Sequence, residues 1–308
     1  MDDTDAGVPA GMPSPRIIRL GTVTSTQDEA AQRLVAGEAV PFALTAREQR
    51  AGRGRLGRRF ASPDGGNVYL TYVHRTGLDL ERRTWFPLAA GLAAVDALSA
   101  VVGTDGVRLG LKWPNDLHTE DGRKLGGILV EGRGPDAVLI GIGLNVRGPV
   151  RDADGTEVPG AAWLLGDRGV RPGVGAPEID EATRTDSTRE QIEQALATAL
   201  AAELGALEST DGDADTAGIA RRYTMTCLTF GQDVRVDPLG AIGAGGAQAR
   251  PLHGTARRVD VRGRLVVDLE EGDQVAVDVG DVRHVRPSGS ARPTADAERG
   301  VEQEEHGT

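Results

Sequence analysis

Short apolar runs alternate with polar punctuation along most of this chain, and their periods change twice. Arg16-Ile-Ile-Arg-Leu20 reads as a first strand. Thr26-Gln-Asp-Glu29 is a capping box, with Thr26 as the helix cap and Glu29 at the third helical position. The helix it opens carries Ala30, Ala31, Leu34 and Val35 and stops at Gly37. Phe42 to Ala46 and Asn67 to Val73 read as strands, with an arginine- and glycine-rich loop between them. Trp85 to Val102 is apolar over most of its length but carries Pro87 and Asp96, which predicts a buried core helix, not a membrane span. Strands follow through 107–111, 123–131 and 137–146, the last two joined by a Gly-Pro-Asp turn. Beyond Arg147 the chain is polar until about Arg189, and helices are predicted from Glu190 to about Leu207 and from Ala217 to Met225.

From Leu228 the period shortens to alternating strands with tight turns, 259–269 as a hairpin, then 274–278 and 282–285. Evenly spaced short strands without a helix predict a small C-terminal β-barrel of the SH3-like kind. The mixture upstream predicts an α+β domain, a mixed and mostly antiparallel sheet with helices on one face. The expected organisation is a disordered arm at 1–15, a catalytic domain at 16–227, the SH3-like domain at 228–287 and a disordered acidic tail at 288–308. The insert at 240–247 is read as a loop within the small domain.

Charge sharpens this picture. The chain of 308 residues has a formal net charge of −11, yet residues 47–59 hold six arginines and one glutamate. Gly52, Gly54 and Gly57 let that backbone approach a ligand closely, and arginine forks match carboxylate and phosphate oxygens in pairs. A site for a small polyanion is the reading that fits. Gly52-x-Gly54-x-x-Gly57 spells a dinucleotide fingerprint, but Pro63, Gly65 and Gly66 follow where a helix would have to open, so a Rossmann site is excluded. Asp211-x-Asp-x-Asp215 begins like a calcium loop but has Thr216 and Arg222 where glycine and glutamate belong. One cysteine, Cys227, excludes an internal disulfide, and the N-terminus has no signal-peptide pattern, so a cytoplasmic protein is expected. An acidic chain with 3% aromatics offers little to nucleic acid, and neither a nucleic-acid nor a membrane partner is expected.

Polar groups collect where strands end: Ser25, Thr26 and Gln27; Gln49; Lys112 to Asp116; Lys124; and Asn145. Taken singly each has a plainer role. Thr26 serves as a cap, Lys124 as a snorkelling surface lysine, Asn115-Asp116 as a turn after Pro114 and Trp113 as core.

Taken together, Thr24-Ser-Thr-Gln27, Gln49-Arg-Ala-Gly-Arg-Gly-Arg-Leu-Gly-Arg58, Lys112-Trp-Pro-Asn-Asp-Leu117, Arg123-Lys-Leu-Gly-Gly-Ile-Leu-Val-Glu131 and Gly143-Leu-Asn145 resemble the biotin protein ligases. The resemblance runs from about Arg16 to Arg286 and implies a class II synthetase-like sheet with an SH3-like C-terminal domain. It implies an ATP-dependent ligase that makes biotinyl-5′-AMP, with Mg²⁺, and passes biotin to a lysine of a biotin carboxyl carrier protein of acyl-CoA carboxylases. By the same resemblance Ser25, Thr26, Gln27 and Gln49 contact biotin, and Arg53, Gly54, Arg55 and Lys124 meet its carboxylate and the α-phosphate. Arg55, Arg58, Asn115, Asp116, Asn145 and Trp163 face the nucleotide, and Arg53, Arg55, Lys124 and Asp116 are the catalytic set. About 15 residues precede the first strand, so the type without a DNA-binding domain is expected. A lipoate or octanoate ligase of the same fold and a non-enzymatic nucleotide-binding module are the alternatives.

Overall fold

The computed structural model describes residues 15–54, 65–103, 108–152, 154–170, 181–238, 251–270, 272–278 and 280–284. The terminal arm and tail, the insert at 240–247, and Arg55 and Arg58 of the arginine loop lie outside these residues.

Seven strands form one mixed sheet: β1 (Arg16–Val23), β2 (Phe42–Gln49), β3 (Asn67–Arg75), β4 (Leu109–Lys112), β5 (Asp116–Thr119), β6 (Lys124–Arg133) and β7 (Ala137–Asn145). Their order is β1-β2-β3-β7-β6-β5-β4. β1 runs parallel to β2, and every other neighbour is antiparallel. The parallel pair is connected through α1 (Thr26–Val35), as a crossover requires.

Alternation along β7 decides what each face does. Val138, Ile140, Ile142 and Leu144 point into the main core, where they meet α2 (Phe86–Val102) and α3 (Glu181–Ser209). α4 (Ile219–Thr226) joins the same core through Ile219 and Tyr223. Gly91 lets α2 approach the sheet, since a methyl group there would sit 3.0 Å from Leu111. Helices on one face therefore describes α2, α3 and α4. On the opposite face α1 packs Ala30 over Phe42, Leu44, Val73 and Leu139, and covers only part of it.

Three predicted boundaries shift. The capping side chain is Ser25, which accepts from the Gln27 amide at 3.2 Å, and Thr26 is the first helical residue. The third strand of the sheet's far half begins at Leu109 instead of residue 107. α3 begins nine residues before Glu190, in a stretch whose charged composition hid it, because a helix can form there by pairing polar side chains. The Asp211–Asp215 segment is a turn: Asp213 accepts from the amides of Asp215 and Thr216 at 3.0 and 3.1 Å. Arg222 makes a two-pronged bridge to Glu203 of α3 at 2.6 and 2.7 Å.

The C-terminal unit is a five-stranded antiparallel sheet ordered β11-β10-β9-β8-β12. Its strands are β8 (Asp233–Pro238), β9 (Leu252–Val259), β10 (Leu265–Leu269), β11 (Gln274–Val277) and β12 (Gly280–His284). The β9–β10 turn reaches into the first domain, where Trp85 Nε1 donates to the Val261 carbonyl at 2.9 Å and Trp113 Nε1 to that of Gly263 at 3.0 Å. Trp113 is core, as the plainer reading had it.

Candidate active site

The half of the open face that α1 leaves bare is floored by glycine. Register places Gly141 opposite Leu129 and Thr71, and Gly143 opposite Gly127 and Tyr69. Gly127 in turn pairs with Asp116 of β5, and Asp116 with Lys112 of β4. These residues share a face because side chains alternate with period two. The result is a shallow trough bounded by α1 on one side and on the other by charged groups, Lys124 and Asp116, which stand over Gly127.

At the α1 wall, hydrogen bonds fix three side chains. Thr71 Oγ1 donates to Thr26 Oγ1 at 2.9 Å, and Thr26 donates from both its amide (2.8 Å) and its hydroxyl (3.1 Å) to Gln49 Oε1. With Oε1 doubly engaged, the donor end of the Gln49 amide is oriented by that chain of bonds. Gln27 lies across Gly141, where a methyl would come within 3.2 Å of its Cδ, and donates to the Leu129 carbonyl at 3.3 Å. Its Oε1 is buried and has no hydrogen-bond partner among the described residues. A buried acceptor left open costs about 1–3 kcal/mol and marks a place for a donor.

Opposite, Lys124 Nζ sits 2.7 Å from Asp116 Oδ1, directly over Gly127. A bulge in the β5–β6 ladder, where the partner changes from Gly126 to Lys124, turns the lysine onto this face. His118 stands beside the pair, with Nδ1 at 3.0 Å from the Gly122 carbonyl and Nε2 at 4.0 Å from Asp116 Oδ2. Burial, reinforced by Lys112, pushes its imidazole down to about 4 against the opposing pull of Asp116.

The remaining sequence-predicted residues fall into two groups. Arg53 is not beside Lys124: its guanidinium bridges Asp28 of α1 (2.7 Å) and Glu131 of β6 (3.4 Å). Gly54 next to it is half-buried. Asn115 donates to the Ile128 carbonyl at 2.8 Å and so ties the turn at 113–115 to β6. Asn145 donates to the Ala162 carbonyl at 2.9 Å, and Trp163 Nε1 donates to that of Asp167 at 2.9 Å. Trp163 is buried beneath Gly148, where any Cβ would collide with its ring, and Arg168 lies 5.4 Å from the ring centre. Sequence reading passed over Thr71, Gly127, Gly141 and His118. Only the alternation along β3, β6 and β7, once their register is known, singles out the first three.

A glycine floor between an ordered polar wall and a paired ammonium has the shape and charge to hold an anion flat against the sheet. Residues 20–145 match the family model described as the biotin/lipoate A/B protein ligase family. The biotin–[acetyl-CoA-carboxylase] ligase of Mycobacterium tuberculosis is 34% identical over 244 residues, which cover 79% of this chain and 79% of that protein. The chain belongs to the biotin protein ligase family. Its fold is similar to the biotin protein ligase from Aquifex aeolicus in complex with biotin and ATP (TM-score 0.63, 21% identity, 88% of this chain and 99% of that one). It is also similar to the Leishmania major enzyme in complex with biotinyl-5-AMP (TM-score 0.51, 25% identity, 85% and 98%).

Proposed function

We propose that this chain uses ATP to activate biotin as biotinyl-5′-AMP and transfers the acyl group to a lysine of a biotin carboxyl carrier protein of an acyl-CoA carboxylase, the activity designated biotin–[biotin carboxyl carrier protein] ligase. The observation that carries the reading is the Lys124 ammonium held by Asp116 over the glycine floor. Biotin's ring system lies against Ser25, Thr26, Gln27 and Gln49, with a ureido N–H answering the open Gln27 Oε1. Its carboxylate points along Gly141 and Gly143 toward Lys124.

The acid is ionised at neutral pH, so activation needs no general base. The obstacle is two anions, and Lys124 offsets it by exchanging Asp116 for the reacting carboxylate and α-phosphate oxygens. An ammonium aimed at the charge that develops lowers the barrier by roughly 1.5–3 kcal/mol. Arg53 and Gly54 meet the same oxygens from the arginine loop, which requires Arg53 to leave Asp28 and Glu131; the resemblance adds Arg55 at those oxygens and Arg55 and Arg58 at the nucleotide. Asn115 and Asn145 act on the nucleotide side by holding the strands and loop that shape it, and Trp163 does so by anchoring the loop beyond β7. Mg²⁺ accompanies ATP. Among the described residues no three His, Cys, Asp or Glu side chains converge on one point. Helix 82–102 is apolar enough to span a bilayer by length and composition, but it is the core helix of this fold, and a membrane forms no part of the reading.

The test is pyrophosphate release from ATP with biotin, lipoate or octanoate supplied in turn. Release with biotin alone supports the proposal. Release with lipoate or octanoate but not biotin would transfer the chain to the sister activity.

A further inference from the structure

His118 has a geometry that neither substrate binding nor adenylation uses. The Gly122 carbonyl can only accept, so Nδ1 carries a hydrogen and donates it across 3.0 Å. Nε2 of the neutral ring is then a bare lone pair. It is buried, lacks a hydrogen-bond partner among the described residues and faces Asp116 Oδ2 at 4.0 Å. Four charged or polar groups surround the ring, one from each neighbouring segment: Lys112 of β4, Asp116 of β5, the Gly122 carbonyl of the turn and Lys124 of β6. The two ammonium groups and burial keep the ring neutral, while Asp116 and the carbonyl would welcome a proton. Lys124 adds the smallest part of the pull toward the neutral ring, and that part is removed when its other duty takes it away from Asp116.

We propose that His118 is a positioning residue of the transfer step, its Nε2 receiving through Asp116 the proton that the carrier's lysine loses. This rests on the ligase reading above. The incoming amine arrives as an ammonium ion, since a free lysine titrates near 10.4. It gives one proton to Asp116 Oδ2. Its freed electron pair forms the N–C bond to the acyl carbon, and the C–O bond to AMP breaks with its electron pair left on the phosphate oxygen. Asp116 passes the proton to Nε2. That leaves the imidazolium with one N–H toward Asp116 and one on Gly122, and leaves Asp116 an anion again, ready to take Lys124 back. The second proton of the amine is lost to solvent as the amide forms, and His118 releases its own when product departs. A separation of 4.0 Å is longer than a hydrogen bond, and such contacts in unliganded enzymes commonly shorten only in the reacting complex.

The experiment separates the two half-reactions. His118→Asn keeps a donor for the Gly122 carbonyl and removes the distal nitrogen. His118→Gln puts an amide near Asp116 but supplies no basic lone pair. Each variant is loaded with biotin and ATP, biotinyl-AMP formation is followed by pyrophosphate release, and single-turnover transfer to a purified apo carrier domain is measured from about pH 6 to 9. Both variants should lose roughly a hundredfold in transfer near neutral pH, the lower range for a proton-transfer group. That loss should exceed any loss of adenylation by at least about tenfold. The profile should change as well. Wild-type transfer is nearly level across this range, because the reacting species is ammonium plus carboxylate. In the variants it should climb about tenfold per pH unit, because the amine must first lose its proton to solvent. Transfer within about twofold of wild type with the same profile in both variants would overturn the inference while leaving the ligase reading intact. A wild-type protein that makes no biotinyl-AMP would overturn both.

Discussion

Gly127 and Lys124 show most directly how the site works at the scale of single residues. A Cβ at Gly127 would stand 3.4 Å from Asp116 Oδ1 and 3.5 Å from Lys124 Nζ, ordinary contact that the fold can absorb. Gly127→Ala should therefore keep or raise stability, by up to about 1 kcal/mol through the unfolded chain. It should also slow adenylation by about tenfold, since the methyl occupies the floor over which Lys124 swings, a loss of about 1.4 kcal/mol at the transition state. Urea unfolding and pyrophosphate release on the same sample check both halves. Lys124→Ala should cut adenylation by roughly one to two decades with a near-normal unfolding midpoint, because the lysine is part-exposed and its partner Asp116 can rehydrate. The residue types of this site were largely legible in the sequence, since Lys124, Asp116, Thr26 and Gln49 are polar groups at strand and helix ends. The floor was not, because a glycine within an apolar strand reads the same whether it faces a core or a ligand. His118 was hidden by the bulge that aligns it with Lys124, which no pattern of period two reveals. Arg53 was placed correctly in the loop, but its partners in the unliganded protein, Asp28 and Glu131, depend on a tertiary approach of α1 to β6.

Among the elements, the β9–β10 turn and the Trp113–Asn115 turn are tied together. Trp113 donates through Nε1 to the Gly263 carbonyl, donates from its amide to Thr229 Oγ1 (3.0 Å) and is followed within three residues by Asp116. Trp113→Phe should leave the Gly263 carbonyl unanswered in a buried site, at a cost of about 1–3 kcal/mol. Because the same turn carries Asp116, the variant should also raise the KM for ATP more than it lowers kcat for adenylation. Denaturant midpoints and steady-state pyrophosphate release measure the two effects, and unchanged kinetics in a destabilised variant would show the turn to be held by other contacts. Element types were legible from periodicity along nearly the whole chain. What escaped was the start of α3: its first two turns are polar, and Asp186 and Arg189 there make ion pairs with Arg47 and Glu193 that replace an apolar stripe as the reason for the helix.

For the whole molecule, acid sensitivity follows from two histidines, the buried His118 and the half-buried His284, that share a neighbour. Burial lowers both His118 and His284 to about 4, and Lys112 pushes each the same way. Their folded values lie below the ordinary 6.5, so the unfolded chain binds more protons between these limits. The stabilisation they confer is thus complete above about pH 6.5 and is lost as pH falls through about 4. Lys112→Met should flatten the fall of the urea midpoint across that window relative to wild type, and an identical slope would contradict the shared origin. The mixed sheet was legible in outline from the spacing of its strands. Which face carries α1 and which the main core could be settled only by register. The central claim, that the glycine trough with Lys124 and Asp116 joins biotin to a carrier lysine, is tested most directly by intact-protein mass measurement of an apo carrier domain after incubation with this protein, biotin and ATP. The account predicts a single added biotinyl group on one carrier lysine with the wild type, and at most a trace in the same time with folded Lys124→Ala. Equal labelling by both proteins, or none by the wild type, would contradict it.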